Sequence, residues 1–143
     1  MKYLLDTNVV SELARPFPDP RVEKNFTAHQ GSSVISALTW HELKFGVLRM
    51  PSSRRKQLLE EFLETVVGVR PPLAYDGRAA EWHAIECVRQ EAVGRVAPFV
   101  DGQIAAIAAV NGLTLITRNT SDFISVKGLK LDSWHVSPPR NTR

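Results

Sequence analysis

Ile104-Ala105-Ala106-Ile107-Ala108-Ala109-Val110 is an unbroken apolar run. Wound into a helix it is apolar nearly all round, and such a helix is stable only when covered on most of its sides. Pro98 starts this helix, predicted over 99–111, and Gly112 ends it. Residues 113–117 then read as a buried strand, as do 3–5 and 33–36, with 129–134 as an edge strand and 68–73 as a short strand-like segment. Between them the apolar spacing predicts helices over 9–14, 21–30, 38–50, 54–67 and 76–94. Loops at Pro16-Phe17-Pro18-Asp19-Pro20 and Pro51-Ser52-Ser53 break the pattern. On the helix over 76–94 we expect Ala80, Ile85, Val88 and Ala92 to turn inward and Arg78, Glu81, Arg89 and Glu91 outward. Strands that alternate with helix-length crossovers argue for a parallel sheet covered on both faces. The expected fold class is α/β, a three-layer α/β/α sandwich with a central parallel sheet.

A chain of 143 residues suits one domain whose core needs neither disulfides nor structural metal. We expect that domain over 1–136 and a polar basic C-terminal tail over 137–143. Cys87 is the only cysteine, which rules out a disulfide framework within one chain and suits a reducing cytosol. Asp6 cuts the N-terminal apolar run too early for a signal peptide, and no stretch is long enough to span a bilayer, so a cytoplasmic protein is expected. A formal charge of +3 is a modest basic excess that permits a polyanionic partner without requiring one.

Four acids stand where chemistry is possible. Asp6 ends the first strand, and in open α/β sheets ligands bind outside the carboxyl ends of the strands; the competing reading is a helix cap. Glu42 has Leu38, Thr39, Phe45 and Gly46 one helical turn away, less polar company than a solvating Glu usually keeps. Gly46 costs about 1 kcal/mol against Ala in a helix, which predicts a close approach at that face. Asp101 opens the buried helix, where it either complements the helix dipole, worth about 0.3 to 1 kcal/mol, or serves a site. Asp122 follows the strand over 113–117 and reads equally as a turn cap. Together the four can share one pocket. Crowded carboxylates repel and persist when a cation compensates them, and all-oxygen ligation selects Mg²⁺ or Mn²⁺ over zinc.

At these residues the chain resembles the PIN-domain ribonucleases and, among them, the VapC toxins of toxin–antitoxin pairs. The matching pieces are Leu5-Asp6-Thr7-Asn8 with Val10-Ser11-Glu12; Ser36 with Glu42-Leu43 and Gly46; Asp101 with Ile104-Ala105-Ala106; and Thr117, Asn119 and Asp122-Phe123, all in the family's order. The resemblance implies that Asp6, Glu42, Asp101 and Asp122 hold the metal, that Thr7 and Thr117 line the site, and that Asn119 braces its loop. It further implies metal-assisted hydrolysis of RNA, a homodimer or dimer-based complex, and a cognate VapB-like antitoxin. Gly102, just after the third acid, and the basic tail match nothing in the family pattern.

Other chemistries fit less well. His41-Glu42 lacks a second His four residues on, so it is no zinc-protease helix, and Cys87 has no evident base and behaves as a small apolar residue. A phosphatase with an Asp nucleophile would want an acid two residues after Asp6, where Asn8 stands. A rival of another class is a catalytically silent PIN-like module that binds RNA or protein. Arg54, Arg55, Lys56 and Arg118 are the candidate phosphate contacts, against the plainer reading of a solvated helix start.

Overall fold

The computed structural model of the protein describes residues 1–96 and 98–135. The polar tail expected over 137–143 lies outside the described residues. Four strands form one parallel sheet in the order β2-β1-β3-β4: β1 is Tyr3–Leu5, β2 Ser33–Val34, β3 Thr114–Ile116 and β4 Lys130–Asp132. The helices are α1 (Thr7–Leu13), α2 (Pro20–His29), α3 (Ala37–Leu48), α4 (Arg54–Phe62), α5 (Gly77–Ala92) and α6 (Phe99–Val110).

Alternation along the strands builds the two interfaces of the sandwich. Leu4 and Leu115 point to one face, where they pack with Ile104, Ala105 and Ala108 of α6; Leu5 and Ile116 point to the other, where they pack with Val9, Val10 and Val22. Both faces are therefore covered, as a parallel sheet requires. The apolar run of α6 is buried as its composition demands, with Ala105 to Ala108 fully sequestered. Trp134 follows β4 and closes the second interface edge-on against Tyr3, with ring centroids 5.5 Å apart.

Four local expectations change. Residues 68–73 form no strand and meet the sheet through an isolated bridge between Ser36 and Leu73 and through Arg70, which donates to the Ser33 carbonyl of β2 (3.1 Å). The predicted helix over 54–67 stays α-helical only to Phe62 and then widens into a π-helical turn, Leu63–Val67. Gly68 ends that turn, because a Cβ there would come within 2.9 Å of both the Trp40 ring and the Leu63 carbonyl. The close approach expected at Gly46 is absent: a Cβ there would meet nothing within 4 Å, since this stretch of α3 borders open space beside α4.

The fourth change is the rotation of α5. Ile85 and Val88, expected inside, are 65% and 67% exposed, whereas Ala79, His83, Glu86 and Gln90 are buried. Polar anchoring outweighs the apolar pattern here. Arg89 grips the Glu86 carboxylate through Nε (2.9 Å) and Nη2 (2.6 Å), and Gln90 donates to the same carboxylate at 2.7 Å. Arg89 and Gln90 both also donate to the Ser125 carbonyl, tying α5 to the loop after β3. The Arg89 guanidinium holds the Glu86 carboxyl below its ordinary range, so the buried acid is paired as burial requires.

Candidate active site

β1 ends at Leu5, and the backbone N–H of Asp6 still donates to the Ile116 carbonyl (2.9 Å), so the acid is fixed at the carboxyl edge of the two central strands. One carboxylate oxygen accepts from the Thr7 N–H (2.8 Å) and caps α1; the other accepts from Thr117 Oγ1 (2.9 Å). Asp6 therefore caps a helix and faces the cleft at once. Thr117 is fully buried and fully used: it donates to Asp6 and accepts from Asn8 Nδ2 (3.4 Å) and from the Asn119 N–H (3.2 Å). Asn8 Oδ1 in turn accepts from the Arg118 N–H (3.1 Å). The brace attributed to Asn119 is thus made through its backbone, and the side chain that ties the loop to α1 is Asn8.

Ser36 caps α3 by accepting from the Thr39 N–H (3.1 Å), which starts the helix that carries Glu42. Thr7 Oγ1 lies 3.1 Å from Thr39 Oγ1 and 3.1 Å from a Glu42 carboxylate oxygen. The ionised carboxylate can only accept, so the single Thr7 proton goes to Glu42 and Thr39 donates to Thr7. Asp101 stands in the first turn of α6, and Asp122 in a single 3-10 turn, Thr120–Asp122, after β3.

These four acids line one cleft of about 920 Å³ together with Thr7, Asn8, Glu12, Arg15, His41, Arg118 and Asn119. Of the four basic candidates only Arg118 reaches this cleft. Arg54 and Arg55 line a neighbouring groove with Leu59 and Phe62, Arg55 also lines an adjoining pocket with Thr7 and Glu42, and the Lys56 ammonium donates to the Leu48 carbonyl at the end of α3. The sequence assigns no site role to Thr39 or Arg15, and Glu12 enters there only as part of the Val10-Ser11-Glu12 match. Thr39 had a usable signal, standing one helical turn before Glu42 and hence on its face. Glu12 looks like a surface residue of α1; in the fold it is buried and accepts from the Asp19 N–H (2.8 Å) and from Arg15 (3.3 Å).

The cleft is electrostatically strained. Burial raises the Asp101 carboxyl above its ordinary value of 3.8, and the charges of Asp6, Asp122 and Glu42 raise it further. Burial likewise raises Asp6, against the hydrogen bonds from Thr117 and Thr7, with a further push from Asp122. A field that disfavours its own charges suits a cation, and carboxylates with threonine hydroxyls suit a hard one. Among the described residues no three acids, histidines or cysteines are already gathered into a coordination shell, so binding would draw side chains inward from the walls.

These shifts set a sign for stability. A carboxyl whose pKa is higher folded than unfolded binds its proton more tightly in the folded state, so its contribution is present in acid and lost as pH rises through the folded value. In chelator, the stability of wild type minus that of Asp101→Asn should therefore fall as pH rises above about 4. Thermal melts across the carboxylate range measure it; a flat or rising difference would contradict the mutual repulsion.

Residues 3–129 match the family described as PIN domain. The chain is 36% identical to the VapC ribonuclease Y4jK of Sinorhizobium fredii over 84% of its own length and 89% of that protein's. It is 33% identical to toxin FitB of Neisseria gonorrhoeae, covering 92% of this chain and 98% of the toxin. In structure it superposes on a chain of FitAB bound to an IR36 DNA fragment with a TM-score of 0.82 and 30% identity, over 95% of this chain and 98% of the other.

Proposed function

The chain belongs to the PIN-domain family, and from that membership we propose that it is the endoribonuclease toxin of a toxin–antitoxin pair, hydrolysing RNA phosphodiester bonds with Mg²⁺, or Mn²⁺ in its place. Asp6, Glu42, Asp101 and Asp122 would hold the metal. The observation that carries the reading is the arrival of these four acids, from four distant stretches of chain, on the walls of one cleft. When bound, a divalent cation supplies Lewis acidity there: it makes water more acidic and offsets charge on the phosphate.

The protein's own part is placement. Thr117 and the Thr7 N–H hold the Asp6 carboxylate by two hydrogen bonds, and the Thr7 hydroxyl orients Glu42. Cys87 lies half-buried on α5 and is not among the residues that line the cleft, and the nucleophile in this proposal is water. Purified protein should cut RNA with Mg²⁺ or Mn²⁺ and stop in excess chelator; undiminished cleavage in chelator would rule the metal mechanism out.

Arg118 and Arg15 stand on the wall of the same cleft and suit phosphate contact, with Arg54 and Arg55 contributing from further out, whereas the Lys56 ammonium is engaged by the Leu48 carbonyl. Each lost phosphate contact should reduce the salt slope of single-stranded RNA binding by about 0.7. Arg118→Ala should therefore flatten it and Lys56→Ala should not; binding measured from low to moderate salt decides, and an unchanged slope for Arg118→Ala would remove that contact.

The partners follow from the relatives. One of them is a toxin and another assembles as FitAB on DNA, which supports a small antitoxin encoded beside this chain and a dimer-based complex. Among the described residues no helix is long and apolar enough to cross a membrane, and we place the protein's action in the cytoplasm, where its RNA substrate lies. The domain boundary near 136, with a separate tail, belongs to the same proposal.

A further inference from the structure

Asp101 depends on the first turn of α6, and that turn has no side-chain cap: Pro98 stands at the N-cap and makes no capping hydrogen bond. Uncapped helix starts open easily. Here the turn is gripped from outside by His83 of α5. Its ring packs against Phe99, with centroids 5.0 Å apart, and against Gly102, so it touches the turn on both sides of Asp101. A Cβ on residue 102 would overlap His83 Nε2 and come within 2.9 Å of Cδ2, so the ring fills the space that any side chain there would need. At its other end the ring is tied by a 2.8 Å hydrogen bond between Nδ1 and the Tyr75 hydroxyl, and only 4% of the residue is exposed. The ring cannot swing aside without giving up that bond. It also walls a small cavity of about 80 Å³ that reaches Asp101 and Asp122 from behind, space into which an ungripped turn can sink.

We infer that His83, tied to Tyr75 and seated on Gly102, is a positioning residue for the RNA-cleaving site, holding the first turn of α6 so that Asp101 faces Asp6, Glu42 and Asp122. This accounts for a glycine at 102, beside an acid in a helix, where no turn or positive φ requires one. It rests on the reading of Asp101 as a metal-holding acid.

The test is Mn²⁺ titration calorimetry and single-turnover RNA cleavage on wild type, Gly102→Ala, His83→Ala, the double variant, Tyr75→Phe and Asp101→Asn. Displacements of an ångström in a site cost on the order of 100-fold. We expect Gly102→Ala and His83→Ala each to weaken Mn²⁺ binding and slow cleavage by at least about 10-fold, on that same scale. Tyr75→Phe should shift both readouts in the same direction by a smaller factor. The double variant should match His83→Ala in both, because once the ring is gone the new methyl strikes nothing. Wild-type Mn²⁺ affinity in both Gly102→Ala and Tyr75→Phe would overturn the inference, as would a double variant in which the two single losses add in full. If His83→Ala does not fold, Gly102→Ala and Tyr75→Phe decide alone. Asp101→Asn separates the two levels: loss of binding there, with binding kept in Gly102→Ala and Tyr75→Phe, defeats the positioning role only, whereas unchanged binding in Asp101→Asn defeats the site reading and this inference with it.

Discussion

Asp101→Asn should reduce RNA cleavage by at least about 100-fold, since loss of a metal ligand is expected to exceed the 10- to 100-fold cost of losing an outer-shell partner. It should do so without destabilising the metal-free protein. Were Asp101 only a partner of the α6 dipole, its loss would lower stability by up to about 1 kcal/mol and spare activity. Its carboxyl is instead held above its ordinary range by burial and by Asp6, Asp122 and Glu42, so removing the charge relieves repulsion. Added Mn²⁺ should stabilise the variant less than wild type, because ligand stabilisation follows affinity for the folded state. Melts in chelator and in Mn²⁺, beside a cleavage assay, separate the two roles. A destabilised and fully active variant would remove Asp101 from the site.

Thr117→Val should carry the second-largest cost, and it should appear in both stability and activity. The substitution keeps the shape and deletes a hydroxyl that donates to Asp6 and accepts from Asn8 and from the Asn119 N–H. Leaving buried groups unsatisfied costs about 1 to 3 kcal/mol. Asp6 also loses a hydrogen bond that favours its charged form, so its carboxyl, already raised by burial, should rise further. Cleavage should fall about 10-fold or more, the scale on which loss of a hydrogen-bond partner of a metal-holding side chain acts. The loss should be greater at low pH, where Asp6 is harder to ionise. Thr117→Ser keeps the hydroxyl and should recover most of the activity; a Val variant equal to wild type in melts and in cleavage would show that the hydroxyl is dispensable.

The central layer was legible because short apolar runs such as 3–5 and 113–117 have one reading once they alternate with helices, and α6 was legible because an all-round apolar helix has nowhere to go but inside. The rotation of α5 was not. Ile85 and Val88 carry the apolar signal, but Glu86, Arg89 and Gln90 find partners in the loop at Ser125, and nothing local in the sequence announces a contact 35 residues away. The glycines show the same limit from two sides. Gly46 suggested a close approach that the fold does not contain, while Gly102, which matched no pattern, sits under the His83 ring. At the site, the acids are legible in the sequence only as a set, since each alone also reads as a cap, a dipole partner or a surface Glu. Their supports were harder to read: Thr39 and Asn8 work through distant hydroxyls and backbone groups, and Glu12 is buried by a loop whose course the Pro-rich sequence does not specify.

The claim that four carboxylates in this cleft hold the catalytic metal is tested most directly by calorimetric titration of Mn²⁺ into wild type and into Asp6→Asn, Glu42→Gln, Asp101→Asn and Asp122→Asn, each verified as folded by its melt. Wild type should bind, and each single substitution should weaken binding by about 10-fold or more, the scale on which changes around metal ligands act. Wild-type affinity retained in all four variants would contradict the account.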